Sequence, residues 1–400
     1  MMSSPLPVVR LKPRADARAV RHGAPWIHAD DLVADRRTRA LEPGTIAVLE
    51  DGARTPLACV AVNPRSRLMA RVLDSDPGAG IGRHWLARRL RRALALRAAL
   101  CDTPFYRLVH AEADGLPGLV IDRFGDTAVV QPNAAWIERL LPELCEALVD
   151  VTGVRAVLKN AGGRTRAAEG LDDEASILSG AAPDGPLPVV MNGATYMADL
   201  TGGQKTGLFY DQRPNHAFAA RLARGGARVL DVFSHVGGFS LAALAGGAAR
   251  ATAVDGSAPA LELAREGAVR SGVADRFDDR RGDAFDAMAK LAQAGARFDL
   301  VICDPPAFAP SKKALEPGLR AYERVAKLAA PLVVEGGFLG LCSCSHAATL
   351  PKFRGACTRG IGRAGRGAQL IHSGGAGPDH PQHPQLAESG YLKALFFRLS

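Results

Sequence analysis

From about residue 225 the chain alternates short apolar, β-rich runs with helical stretches, and this rhythm limits the possible folds more than any other feature. The runs are "ARVLDVF", "ATAVDG", "RFDDRRGDAF", "FDLVICD" and "GGFLGLCSCS", separated by helix-like segments at 238–247, 258–271, 284–294 and 318–334. Strands alternating with helices of this length form βαβ units, and so a mostly parallel, doubly wound sheet. In such sheets ligands bind beyond the carboxyl ends of the strands. The residues at each strand end therefore carry the functional information.

The first strand ends in "VLDVFSHVGGFS", 229–240. Asp231 closes it, and Gly237 and Gly238 open the next helix, where glycine lets backbone approach a ligand beside a helix N-terminus. Phe233 and Phe239 flank that turn. The spacing is not Gly-x-Gly-x-x-Gly, which argues against a dinucleotide pyrophosphate. The second strand ends in Asp255 and Gly256, and a carboxylate there suits a ribose diol. The third is followed by "GDAF", which places Asp283 and Ala284 against an adenine amino group. Each acid alone reads equally well as a helix cap. In order, followed by Asp-Pro-Pro, they indicate S-adenosylmethionine, with Asp304 also lining its pocket.

The fourth and fifth strands end in "DPPAFAP", 304–310, and "CSCSHA", 342–347. Proline keeps the chain extended and donates no N–H. Pro305 and Pro306 thus form a rigid edge for a flat base, with Asp304 available to a ring nitrogen. Amino-methyltransferases place an aromatic residue directly after the second proline; here Ala307 stands there and Phe308 follows. Carbon-5 methylation of a pyrimidine needs instead a thiolate that adds to C6 and an acid at N3. Cys342 lies deeper in the apolar run, and Cys344 is nearer the open end. Cys344 is therefore the candidate nucleophile and Asp304 the acid, on neighbouring strands. Cys303 reads as a strand residue facing the other way, and both thiols of the pair also suit a buried core.

The preceding half is β-rich. "PGTIAVLEDGARTPLACVAVNP", 43–64, reads as a hairpin about Asp-Gly, and residues 105–131 as a meander. Between them, residues 84–101 form an amphipathic helix in a stretch that holds Arg83, Arg88, Arg89, Arg91, Arg92 and Arg97. The formal net charge of +9 makes nucleic acid the first partner to consider, with Arg88 and Arg92 as phosphate contacts; an Arg-rich composition is the plainer explanation. No apolar run reaches the ~18 residues of a membrane span, and the N-terminus lacks a signal-peptide core. A cytoplasmic protein with free thiols is expected. The tract 359–384 is Gly-rich and is expected to include mobile loops; His380 and His383 fit a loop near the cofactor better than a metal site, and no metal is expected.

These residues resemble the bacterial PUA-domain, S-adenosylmethionine-dependent 23S rRNA cytosine-C5 methyltransferases. "GAPWIHADDL", 23–32, and "VAVNPRSRLMARVL", 60–73, are similar to that family's RNA-binding PUA domain, and "GGQKTGLFYDQRPNH", 202–216, to the segment before its cofactor fold. "DPPAFAPSKK", "CSCSHA" and "DHP…ESGYLK" complete the likeness. The resemblance implies that Thr206 and Phe209 line the cofactor pocket and that Arg213 supports it or the substrate. It gives Asp304 and Cys344 the roles of acid and nucleophile. Ser271 stands where the family usually has Asn. The resulting expectation is an α/β protein: a β-barrel-like PUA domain at 1–76, a central α+β domain at 77–188, and a Rossmann-like class I methyltransferase domain at 189–400 with a seven-stranded sheet. Its partner would be 23S rRNA or a ribosomal precursor. Dimers are common in the family, and the residues neither require nor exclude one. The rivals are an rRNA amino-methyltransferase and an RNA-binding assembly factor without chemistry.

Overall fold

The structure is a computed structural model that describes residues 5–202 and 207–400, apart from the side chain of Arg164. It divides into two compact units, 1–183 with 378–389, and 184–377 with 390–400.

The first unit holds two five-stranded sheets. One sets Val8–Arg10, Thr45–Glu50, Pro56–Val62, Ala70–Asp74 and Trp26–Ile27 side by side. The expected hairpin forms its centre, with Val60 opposite Ala47. The other includes the meander Phe105–His110, Leu119–Phe124 and Thr127–Pro132. Against it packs the helix Arg83–Leu100, which buries Trp85, Leu86, Leu90 and Ala93. Its arginines do not share one role. Arg97 is 0% exposed, clamped on both Asp114 oxygens at 2.5 and 2.8 Å and donating to the carbonyls of Arg107 and Asp379. Arg89 lies over Trp85 and pairs with Asp74, and Arg83 pairs with Asp150. Arg88, Arg91 and Arg92 remain exposed.

The second unit carries the alternating half. Its sheet strands are β1 (Arg228–Val232), β2 (Arg250–Asp255), β3 (Phe277–Arg281), β4 (Phe298–Cys303), β5 (Val333–Ser343), β6 (Ala368–Gly374) and β7 (Lys393–Leu399). Their spatial order is β3-β2-β1-β4-β5-β7-β6. β1 to β5 are parallel, and β7 runs antiparallel to both neighbours. The helices are α1 (Arg213–Leu222), α2 (Gly238–Ala245), α3 (Ala258–Arg270), α4 (Ala284–Gln293), α5 (Leu315–Ala329) and α6 (Leu350–Arg363). Central parallel strands are covered on both faces, so "VLDV" and "LVIC" are buried without alternation. α5 buries Leu319, Tyr322, Val325, Ala326 and Ala329, the i, i+3, i+4 pattern of one helical face.

One expectation changes. The helix foreseen at 318–334 begins at Leu315 and ends at Ala329, because Pro331 lacks the N–H to continue it; β5 then starts at Val333. Within the Gly-rich tract 359–384, residues 359–363 close α6 and 368–374 form β6, while 364–367 and 375–384 are turns and loops. Gly360 has a packing reason: a Cβ there would lie 2.3 Å from the Glu323 carbonyl oxygen and 2.7 Å from the Ala326 Cβ. The segment 378–389 belongs to the first unit, where His380 packs against His110 at 5.0 Å between ring centres. Ser271 supports the end of α3, its Oγ accepting from Thr195 N at 2.8 Å.

Candidate active site

The turn between β1 and α2 is strained. Phe233 (φ 64°), His235 (φ 49°) and Gly237 (φ 78°) are all left-handed, and only glycine takes that conformation without a steric penalty. The turn is held by acids. Asp255 Oδ2 accepts from His235 N at 2.9 Å, while its Oδ1 accepts from Ser257 N at 2.8 Å. Asp231 Oδ2 accepts from both Ser240 N and Ser240 Oγ at 2.9 Å. Asp231 is fully buried, and burial pushes its carboxyl up to about 6, with Asp255 adding repulsion. Its Oδ1 and the neighbouring Ser234 Oγ are buried with no hydrogen-bond partner. Buried polar atoms are rarely left unpaired, so this pair marks a place for a polar ligand group.

Gly238 has a role other than ligand approach. A Cβ on it would fall 2.7 Å from His216 Nε2, so its missing side chain makes room for a buried imidazole. His216 packs edge-on against Phe239 at 4.4 Å between ring centres. Burial, with nearby Arg213, lowers its pKa to about 3, so the ring is neutral. Phe239 is buried.

Elsewhere on the rim, Phe209 packs on His235 at 5.1 Å, and Phe233 on Phe285 at 6.2 Å. Gly256 is exposed. Asp283 caps α4, its Oδ1 accepting from Phe285 N and Asp286 N, and Ala284 is buried behind it. Arg213 opens α1 with its guanidinium over Tyr210. Thr206 lies outside the described residues.

β4 and β5 place the other two motifs. Cys303 pairs with Leu341, which sets Asp304 level with Cys342 and Cys344 two residues farther along. Cys342 is 1% exposed, and burial, reinforced by Asp304, raises its thiol pKa well above the usual range. Cys303 is likewise buried and raised. Cys344 lies just past the end of β5 and is half-buried. Pro305 is buried and Pro306 exposed. The Phe308 ring turns inward beside Tyr322, at 5.0 Å between ring centres, with Phe233 and Phe285 also near.

Several supporting groups had no role assigned from the sequence, though most lie in its quoted segments. Gln212 Nε2 donates to Asp304 Oδ2 at 2.8 Å; Asn215 Nδ2 in turn donates to Gln212 Oε1 at 2.6 Å. Tyr322 of α5 links Ser343 Oγ and Ser345 Oγ at 2.8 Å each. Ser345 Oγ also accepts from Ala309 N at 3.0 Å, tying the Asp-Pro-Pro loop to the Cys344 loop. Only the spacing of Tyr322 on the buried face of α5 hinted at its position. Among the described residues no group of three His, Cys, Asp or Glu side chains could hold a metal ion.

The sheet order, the strained first turn and its buried acid define a doubly wound α/β domain with its ligand site at the carboxyl ends of the strands. Residues 152–398 match the family described as S-adenosylmethionine-dependent methyltransferase, and residues 9–75 match the PUA-like domain. The chain belongs to the S-adenosylmethionine-dependent methyltransferases, joined here to an N-terminal PUA-like domain, and its cofactor is S-adenosylmethionine. It is 35% identical over 411 residues to a ribosomal RNA large subunit methyltransferase of Deinococcus radiodurans, covering 99% of both chains. It is 33% identical over 396 residues to ribosomal RNA large subunit methyltransferase I of Klebsiella pneumoniae, covering 98% of both. In fold it is similar to a Streptococcus mutans protein, with TM-score 0.82, 18% identity and coverage of 98% of this chain and 100% of that one. A protein crystallised with SAH gives TM-score 0.83 at 19% identity, covering 99% of this chain and 100% of that one. The residues present fit the cofactor: its ammonium group matches the unpartnered Asp231 Oδ1, the one buried carboxylate oxygen at the turn without a donor.

Proposed function

We propose that this protein methylates C5 of a cytosine in 23S ribosomal RNA through a transient bond between Cys344 and C6. The observation that carries this reading is the half-buried Cys344, one strand from Asp304, with its loop tied to the Asp-Pro-Pro loop through Ser345. The relatives' printed substrate, large-subunit ribosomal RNA, supplies the substrate class.

Bound S-adenosylmethionine supplies an electrophilic methyl group. Asp231 and Ser234 hold its amino-acid end, Asp255 its ribose and the Asp283–Ala284 turn its adenine, with Gly237, Phe239 and Phe209 shaping the walls. Cys344, as thiolate, adds to C6 of the flipped base, and the C5=C6 electrons become available at C5 while N3 takes a proton from Asp304. C5 is then nucleophilic, and its pair would take the methyl carbon as the methyl–sulfonium bond breaks, that bond's electrons staying on sulfur and leaving the neutral thioether S-adenosylhomocysteine. Loss of the C5 proton to a base restores C5=C6, expels the thiolate, and N3 returns its proton to Asp304. Gln212 orients Asp304 by donating to Oδ2, so that the carboxyl keeps one direction toward the base. Pro306 forms the exposed edge against which the base lies.

Transfer to a ring amine is less well supported. The residue after the second proline is Ala307, and the following Phe308 ring packs beside Tyr322 instead of standing free to stack on a base. Arg88 and Arg92, exposed on their helix, serve RNA phosphates, and the site of action is the cytoplasm. The test is transfer of a labelled methyl group to ribosomal RNA from cells lacking the protein, followed by mass mapping. 5-Methylcytosine is the predicted product; a methyl group on nitrogen refutes the reading.

A further inference from the structure

Lys393 begins β7 directly opposite Ser343 of β5. Its side chain is 5% exposed, and its Nζ donates to the Ser345 carbonyl at 2.6 Å. Among the described residues one other lysine, Lys159, is buried, and it pairs with Glu138 and Asp172. Lys393 pairs with no carboxylate among the described residues. Burying an ammonium without an anion is costly, so such a group is either neutral or matched to a charge that forms nearby.

The titratable groups around it name that charge. Cys344 leaves the tip of β5 one residue before the carbonyl that Lys393 holds. Tyr322, on α5, reaches the same loop through Ser343 and Ser345, and burial keeps its hydroxyl protonated. Cys342 is buried in β5, Asp304 accepts from Gln212, and His346 is exposed. On the other side, β6 sets Ser373 and Gly374 against Leu395 and Ala394, neither of them titratable. Burial pulls Lys393 down to about 8, and the Cys344 charge acts in the opposite direction. This coupling is reciprocal: an ammonium favoured by a thiolate favours that thiolate equally.

We propose that Lys393 is a positioning residue that holds Cys344 in the thiolate form and fixes its loop through the Ser345 carbonyl. The inference rests on Cys344 being the nucleophile. Cys344 releases its proton to solvent, Lys393 stays protonated, and the pair carries no net charge when the base arrives.

The test follows alkylation of Cys344 by iodoacetamide from pH 6 to 10, located by peptide mass, on the full chain without RNA. In the wild type the rate midpoint should lie below the ordinary thiol value of about 8.5. Lys393→Met should raise it by about one pH unit, so that alkylation at pH 7 falls about tenfold. Lys393→Arg should restore most of the rate, and S-adenosylmethionine binding should be unchanged in both. A wild-type midpoint at or above the ordinary value, measurable without any variant, overturns the proposal, as does an identical profile in Lys393→Met. Turnover by Cys344→Ala separates the two claims. If that variant is inactive while Lys393→Met alkylates normally, only the role of Lys393 fails. If that variant is fully active, the nucleophile assignment itself fails, and the inference with it.

Discussion

Asp231→Asn isolates the electrostatics of the cofactor cradle. Asp231 is fully buried, and its carboxyl lies at about 6 instead of 3.8, burial being the main cause. Its folded pKa is raised, so between those two values the folded state binds more protons than the unfolded state and stability falls as pH rises. Above about pH 6 the full cost, about 3 kcal/mol, is present. Asparagine keeps an acceptor for Ser240 and carries no charge, so it removes this slope. The stability difference between variant and wild type should therefore move by about 2.5 kcal/mol in the variant's favour from pH 4 to 7.5, whatever the offset at pH 4. All three tryptophans, Trp26, Trp85 and Trp136, lie in the first unit, so their fluorescence does not report directly on the surroundings of Asp231. Hydrogen exchange of the β1 and β4 amides, corrected for intrinsic rate, does. If Asp231 faces the cofactor ammonium as proposed, the same variant should bind S-adenosylmethionine at least about tenfold more weakly by calorimetry, because a neutral amide replaces the anion. A stability difference that stays constant with pH, together with undiminished binding, would refute the reasoning.

Cys344→Ala should abolish turnover while S-adenosylmethionine binding stays near wild type by calorimetry; full activity contradicts covalent catalysis. Tyr322→Phe removes a buried hydroxyl shared by Ser343 and Ser345, and should lower stability by about 1–3 kcal/mol in denaturant titration and reduce kcat more than it changes KM. Gly238→Ala drives a methyl group into His216 and should cost about 1–3 kcal/mol by thermal unfolding, with Ala tolerated at exposed Gly256 as the control. Arg88→Ala with Arg92→Ala should weaken RNA binding and reduce the log–log salt slope by about 2; an unchanged slope would show that this helix does not track phosphates.

The strand ends were readable because each apolar run stops at residues of a different kind, and parallel strands buried on both faces leave long uninterrupted runs. Glycines misled where they serve packing. Gly238 clears space for His216 and Gly360 lets α6 approach the Glu323 carbonyl, two contacts that join distant segments. Arg97 sits among solvent-facing arginines, and only its partner Asp114 and the Asp379 carbonyl, far away in the chain, reveal a buried clamp. The groups that orient the chemistry were hidden for the same reason. Gln212 precedes Asp304 by 92 residues, and Lys393 follows Ser345 by 48. No short motif spans such distances.

The most direct test of covalent pyrimidine chemistry uses substrate RNA carrying 5-fluorocytosine in place of cytosine. Fluorine at C5 cannot leave as a proton, so the methylated adduct should persist as a stable protein–RNA complex joined at Cys344 and dependent on S-adenosylmethionine. Failure to form that complex, with methyl groups still transferred to nitrogen of the same RNA, would contradict the mechanism outright.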